Sequence, residues 1–167
     1  MLSSRVWTKP PVSFRHAAAH SLPSNPEPTR IRMMHDTIID MPALSKLLDL
    51  IGGEPDDLSE LIECYAEEAP ALIEQLRGSV ETSDIEVMRR ASHTLKSSAR
   101  DLGALRLGLL CEALEHRCRN GDVADVSDAV IAIEAAEVVA RECLLTLREK
   151  MAVSPAEALQ DVRGAGT

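Results

Sequence analysis

The segment Ile85–Ala104, IEVMRRASHTLKSSARDLGA, decides how this chain is read. Ile85, Met88, Ser92, Leu95, Ala99 and Leu102 recur at alternating spacings of three and four residues, the stripe of one helix face. Ser83-Asp84-Ile85-Glu86 reads as the helix start, with Ser83 as cap and Glu86 three residues on, as in a capping box. Gly103 ends it. Written as a heptad, Ile85, Ser92 and Ala99 take position a, and Met88, Leu95 and Leu102 take d. His93 and Arg100 then fall at b, Arg89 and Lys96 at e, and Arg90 and Ser97 at f. His93 is therefore outside the core stripe, with Arg89 four residues before it, Lys96 three after and Ser97 four after, the spacings that touch on a helix surface.

The same period extends to both sides. Pro42 suits a first helical turn, Leu44, Leu47, Leu48 and Ile51 form a stripe, and Gly52-Gly53 stops it. A second helix starts at Glu54 or Pro55 and carries Leu58, Leu61, Ile62, Tyr65, Ala69, Leu72, Ile73 and Leu76, with Pro70 expected to kink or briefly break it. A fourth runs from about Ala104 to Arg119 with Leu105, Leu109, Ala113, Leu114 and Cys118 inward. Asn120-Gly121-Asp122 is a turn by composition, and a fifth helix covers about Val123 to Met151. No strand pattern competes. The expected fold is all-α: an antiparallel four-helix bundle with a short additional N-terminal helix across one end.

Composition agrees. Aromatics are confined to Trp7, Phe14 and Tyr65, so the 45% hydrophobic content is aliphatic, a palette for helix packing. The net charge of -9 is uneven: residues 1–35 hold five Lys or Arg and one acid, the remainder 13 and 26. An acidic body argues against nucleic acid as a partner, because phosphate contacts need a basic face. Residues 1–35, with five prolines, read as a disordered Pro-rich basic tail, 36–151 as the bundle and 152–167 as a flexible C-terminal tail. His16 and His20 could share a helix face, but no third metal ligand is near and the prolines oppose a helix. Cys64, Cys111, Cys118 and Cys143 form no CxxC pair and read as small hydrophobes in a reducing compartment. No apolar run suits a membrane span or a signal peptide, so the cytoplasm is the expected location.

A solvated imidazole, with an ordinary pKa of about 6.5, keeps a neutral fraction whose ring nitrogen can act as a nucleophile at neutral pH. A phosphoryl group there would bring about two negative charges within reach of Lys96 and Arg89. The motif His93-Thr94-Leu95-Lys96-Ser97-Ser98-Ala99 with Leu102-Gly103-Ala104 resembles the signature of the histidine-containing phosphotransfer (HPt) domains of two-component phosphorelays. Glu63–Pro70 with Leu72 and Leu76 resembles that family's second helix, and Cys111–Glu115 the helix after the active one. The resemblance covers about Asp40 to Met151. Ser97 departs from the glycine that many members carry after the lysine, and Asp101 stands where asparagine is frequent.

The resemblance implies a phosphoryl carrier without kinase activity of its own. His93 would be the phosphoacceptor between receiver-domain aspartates, and Lys96 would steady the phosphoryl group. Arg89, Ser97 and Arg100 would meet the partner, with Ile62 and Tyr65 as an apolar docking surface. The partners implied are response-regulator receiver domains and a hybrid histidine kinase. No cofactor or metal is expected in this chain; the Mg²⁺ would sit on the receiver. The chain is expected to be a monomer. A kinase phosphoacceptor segment fits less well, since Thr94 and Ser97-Ser98 stand where that class places an acid and a proline, and no glycine-rich nucleotide-binding segment is present. The alternative from another class is a helical interaction module, scaffold or inhibitor, without phosphotransfer.

Overall fold

A computed structural model of the chain describes residues 38–164; the expected N-terminal tail and the His16/His20 pair lie outside them. The described residues form six helices and no strand: α1 Met41–Leu50, α2 Pro55–Thr82, α3 Ile85–Asp101, α4 Leu105–Arg119, α5 Ser127–Val153 and α6 Pro155–Gly164. The all-α bundle is as expected. Helices α2 to α5 form a ring in which α2 packs on α3 and α5, and α4 on the same two. Cross-helix ion pairs give the antiparallel register: Arg148 with Glu63 (2.9 Å) and Arg77 with Glu134 (3.0 Å) join α5 to α2, while Arg100 with Glu112 (2.8 Å) joins α3 to α4.

The core follows the stripes. Leu58, Ile62, Tyr65, Ala69, Ile73 and Leu76 of α2 are buried against Met88, Leu95 and Ala99 of α3 and Ile133, Ala140 and Leu144 of α5. Packing of this kind, rather than intrinsic propensity, holds most of a helix together. It also explains Pro70, which does not break α2: the helix is continuous from Pro55 to Thr82, and the proline sits on its exposed side between buried Ala69 and Ile73. The ring's intrinsic cost inside a helix, about 3 kcal/mol, is offset by that packing.

In α4 the phase differs from the expectation. Leu109 and Ala113 are exposed, and Leu107, Gly108, Cys111, Leu114, Glu115 and Cys118 face inward. Two overlapping stripes are available in this leucine-rich helix, and the one that buries Cys111 and Cys118 is used. In α5 the helix begins at Ser127, four residues after the expected start, because residues 120–126 form a longer turn in which Asp125 takes φ 52°.

The connection between α2 and α3 also differs. Asp84, not Ser83, caps α3: its carboxylate accepts from the Val87 N–H at 3.0 Å. Ser83 instead closes α2 with a left-handed backbone (φ 55°, ψ 32°), a conformation that costs an L-residue about 1–2 kcal/mol and suits glycine. Ser83→Gly is therefore expected to raise the thermal midpoint by about 2–4 °C, as 0.5–1 kcal/mol does in a domain of this size, read by circular dichroism.

The residues expected to form a flexible tail include a further helix, α6. Pro155 starts it instead of ending order. Ala158 and Val162, four residues apart, are buried against α1 and α5, and Lys150 pairs with Asp161. At the other end of the chain Asp40 caps α1, accepting from the Ala43 N–H at 2.9 Å, and its own N–H donates to the Gly103 carbonyl at 2.8 Å. Gly103 is required there twice over. Its φ is 75°, and a Cβ would lie 2.6 Å from the Asp40 carbonyl oxygen. That contact fixes α1 to the end of the helix that carries His93.

None of the four cysteines is bonded to another. Burial pushes the Cys111 thiol up to about 12 and raises that of Cys118, while Cys64 is exposed. Since the thiolate is the reactive form, Cys64 is expected to react first with a chromogenic disulfide at pH 7.5. Cys111 and Cys118 should react only on unfolding; rapid labelling of all four thiols in the native protein would contradict this core.

Candidate functional site

Helix α3 presents His93 because its neighbours turn the opposite way. Met88, Ala91, Ser92, Leu95 and Ala99 are buried, and the Ser92 hydroxyl is satisfied inside by the Met88 carbonyl at 2.8 Å. His93 is thereby left with its side chain 55% exposed. Its Nδ1 lies 3.0 Å from Oε1 of Glu115, which reaches across from α4. Lys96 Nζ donates to the other oxygen, Oε2, at 2.6 Å, and the Arg119 guanidinium binds Oε1 from one turn further along α4. One carboxylate thus gathers an imidazole, an ammonium and a guanidinium.

Glu115 is 2% exposed and Lys96 15%. Burial is the largest single influence on the Glu115 carboxyl and works against its charge. Hydrogen bonds from Lys96 and His93, with the charges of Lys96 and Arg119, together outweigh it and hold the carboxyl below the ordinary carboxylate range. Glu115 is therefore an anion at neutral pH, and an anion only accepts hydrogen bonds. The Nδ1 facing it carries the ring proton, so the lone pair of a neutral His93 is on Nε2, directed away from Glu115.

The other expected site residues divide. Lys96 joins His93 through Glu115. The Arg89 guanidinium is taken up within its own helix by Glu86, at 2.8 and 3.1 Å. Ser97 is exposed, but its hydroxyl donates back to the His93 carbonyl at 3.1 Å, so it fills little of the space beside the ring. Arg100 is drawn across to Glu112 on α4. Ile62 and Tyr65 are not part of a docking surface: they are 0% and 4% exposed, within the core stripe of α2. Tyr65 is held in the interior with its hydroxyl unpartnered, and burial, followed by the nearby Glu137 carboxylate, raises the phenol well above its usual value. Leu61, beside them, is the exposed residue of that group.

Glu115 and Arg119 were not singled out from the sequence. A mark of Glu115 was there: an acid four residues after Cys111, inside the apolar register of α4, is an ion that needs a cationic partner across the interface. Among the described residues, no group of three or more His, Cys, Asp or Glu side chains could hold a metal ion, and no helix is long and apolar enough to cross a membrane.

A helical bundle that exposes one imidazole nitrogen, backs the other with a buried carboxylate and sets cations beside it has the layout of a phosphoryl carrier. Comparison with known families agrees. The Hpt domain family model matches residues 60–152, more than half of the chain, and the chain belongs to that family, the histidine phosphotransfer proteins of phosphorelays. Its members are phosphoryl carriers that interact with receiver domains and histidine kinases. Helices α1 and α6 lie outside the matched span. Among solved structures, the fold is similar to that of histidine-containing phosphotransfer protein B (HptB) from Pseudomonas aeruginosa PAO1, with a TM-score of 0.63 and 18% identity over 69% of this chain and 97% of that one. A search of curated proteins gives no match.

Proposed function

We propose that His93 is the phosphoacceptor of this carrier and that Nε2 is the attacking atom. The observation that carries this reading is the exposed ring whose Nδ1 is hydrogen-bonded to buried Glu115. In the forward step the Nε2 lone pair forms a P–N bond as the P–O bond to the receiver's aspartate breaks, and the carboxylate leaves as an anion. No proton has to move, because Nδ1 keeps its hydrogen throughout. The ring becomes positively charged, and Glu115 stabilises that charge as it develops. Lys96 and Arg119, gathered near the ring by Glu115, would supply hydrogen bonds to the phosphoryl oxygens, and each such charge-assisted bond contributes about 1.5–3 kcal/mol. Transfer to a second receiver is the reverse of this step.

On this reading the chain has no kinase activity and binds no nucleotide. The Mg²⁺ that neutralises the aspartyl phosphate belongs to the receiver. Arg89, Ser97 and Arg100 lie on the approach to the ring and would meet the receiver surface. The carrier would act as a monomer in the cytoplasm, where receiver domains are encountered.

The test is transfer from a receiver domain labelled with radioactive acetyl phosphate in Mg²⁺. Label should pass to the wild-type chain, survive alkali, be lost in acid and map to residue 93. Label that never arrives, or arrives on another residue, would sink the assignment and favour an interaction module.

A further inference from the structure

We propose that Gly108 is a positioning residue that fixes Arg100 as a docking contact for the receiver domain; this rests on the reading of His93 given above. Arg100 follows His93 by seven residues on the same face of α3. The two are about 10 Å apart along the axis, at 1.5 Å per residue. A patch of about 800 Å² on each partner, the usual size, reaches about 16 Å from its centre. A receiver that brings its aspartate to His93 therefore covers Arg100.

Arg100 is held at two points. Its stem crosses α4 directly over Gly108: a Cβ at that position would lie 2.7 Å from Arg100 Cγ and 3.3 Å from Nε. Its head binds Glu112, one turn further on, through Nη2 at 2.8 Å. The obstructed atom is near the base of the side chain, so an alanine could not be accommodated by a small movement of the guanidinium. The whole side chain would have to leave its track.

The Arg100 side chain remains 40% exposed, and its guanidinium keeps donors that Glu112 does not use. Arginine ordinarily loses much rotamer freedom when a partner orders it, and one already held loses less. Of the other cations near the ring, Lys96 and Arg119 are held on Glu115, and Arg89 and Arg90 turn to Glu86 within α3, at 2.8 and 3.8 Å. Arg100 is a cation placed beyond reach of the phosphoryl group and within the footprint. The matching receiver surface would offer a carboxylate or a cluster of carbonyl acceptors.

The test compares wild type, Gly108→Ala, Arg100→Ala and the double variant, each below its own melting midpoint. The donor is a receiver domain charged with acetyl phosphate and Mg²⁺. For Gly108→Ala, KM for the charged receiver and Kd for the uncharged one are expected to rise about fivefold, the scale of one exposed charge contact, with kcat within about twofold. Arg100→Ala should do the same, and the double variant should be no worse than Arg100→Ala alone. An unchanged KM and Kd in Gly108→Ala, or losses that multiply in the double variant, would overturn the proposal. A clasp that merely joined α3 to α4 would lower the melting temperature and leave both constants alone. A wild type that accepts no phosphoryl group would overturn the reading of His93, while receiver affinity in the four proteins would still decide the role of Gly108.

Discussion

His93→Ala is expected to lose phosphoryl acceptance to less than about a thousandth of the wild-type rate, with the thermal midpoint within about 4 °C, a shift worth ~1 kcal/mol. The two halves of this expectation have separate causes. Nε2 is the only atom through which the exposed ring offers a bond to phosphorus, and neither Ser97 nor Thr94 can replace it, since a hydroxyl would have to lose a proton that no nearby base is placed to take. Stability changes little because the ring is 55% exposed and contributes a single hydrogen bond to Glu115, which keeps Lys96 and Arg119. Label transfer and circular dichroism on one preparation check both halves. A variant that still took label would move the phosphoacceptor elsewhere.

Glu115→Ala should damage both fold and chemistry. It leaves Lys96, 15% exposed, without its acceptor and frees His93 Nδ1. Removing one partner of a buried ion pair costs on the order of 3 kcal/mol, or about 10 °C for a domain of this size. Transfer should slow by about a hundredfold, since the ring loses the acceptor that fixes its tautomer and the anion that stabilises its charge. Glu115→Gln keeps the shape and one acceptor oxygen, so its losses should be smaller. The carboxyl is depressed in the folded state. Its contribution is therefore complete above the ordinary carboxylate range and is lost as pH falls through the lower, folded value. Denaturant titrations from pH 7 to pH 3 should show that acid-side loss in the wild type and a shallower one in the glutamine variant. Equal slopes, or an unslowed alanine variant, would remove Glu115 from this role.

The fold was legible because one period runs through Leu58–Leu76, Met88–Leu102 and Val130–Leu147, and the exposed histidine was legible as the residue just off that period. The rest failed for physical reasons. Ile62 and Tyr65 could be seen on the stripe, and a resemblance to a partner surface set that aside; burial decides against it. Glu115 was obscured because an acid in an amphipathic helix is usually solvated, and two of its three partners come from another helix, 19 and 22 residues away. Leu109 and Ala113 were assigned inward because α4 is apolar on more than one face. Ser83 and Asp84 are both good caps, and only the backbone shows that the first ends α2 while the second starts α3. Helix α6 falls in the span 152–167 read as a tail, where Pro155 in fact opens a helix.

The single carboxylate shared by Lys96 and Arg119 sets the sign of the field at this face. With the ring neutral, two fixed cations against one anion leave the patch positive by one charge. A phosphoryl group on His93 adds about two negative charges while the ring, keeping its Nδ1 hydrogen, gains one positive charge, so the patch falls to about neutral. On this reading the carrier loses its positive patch each time it is loaded. An acidic receiver pocket would be drawn in by the empty form and no longer attracted by the full one. Added salt should therefore weaken the first encounter and leave the second nearly unchanged.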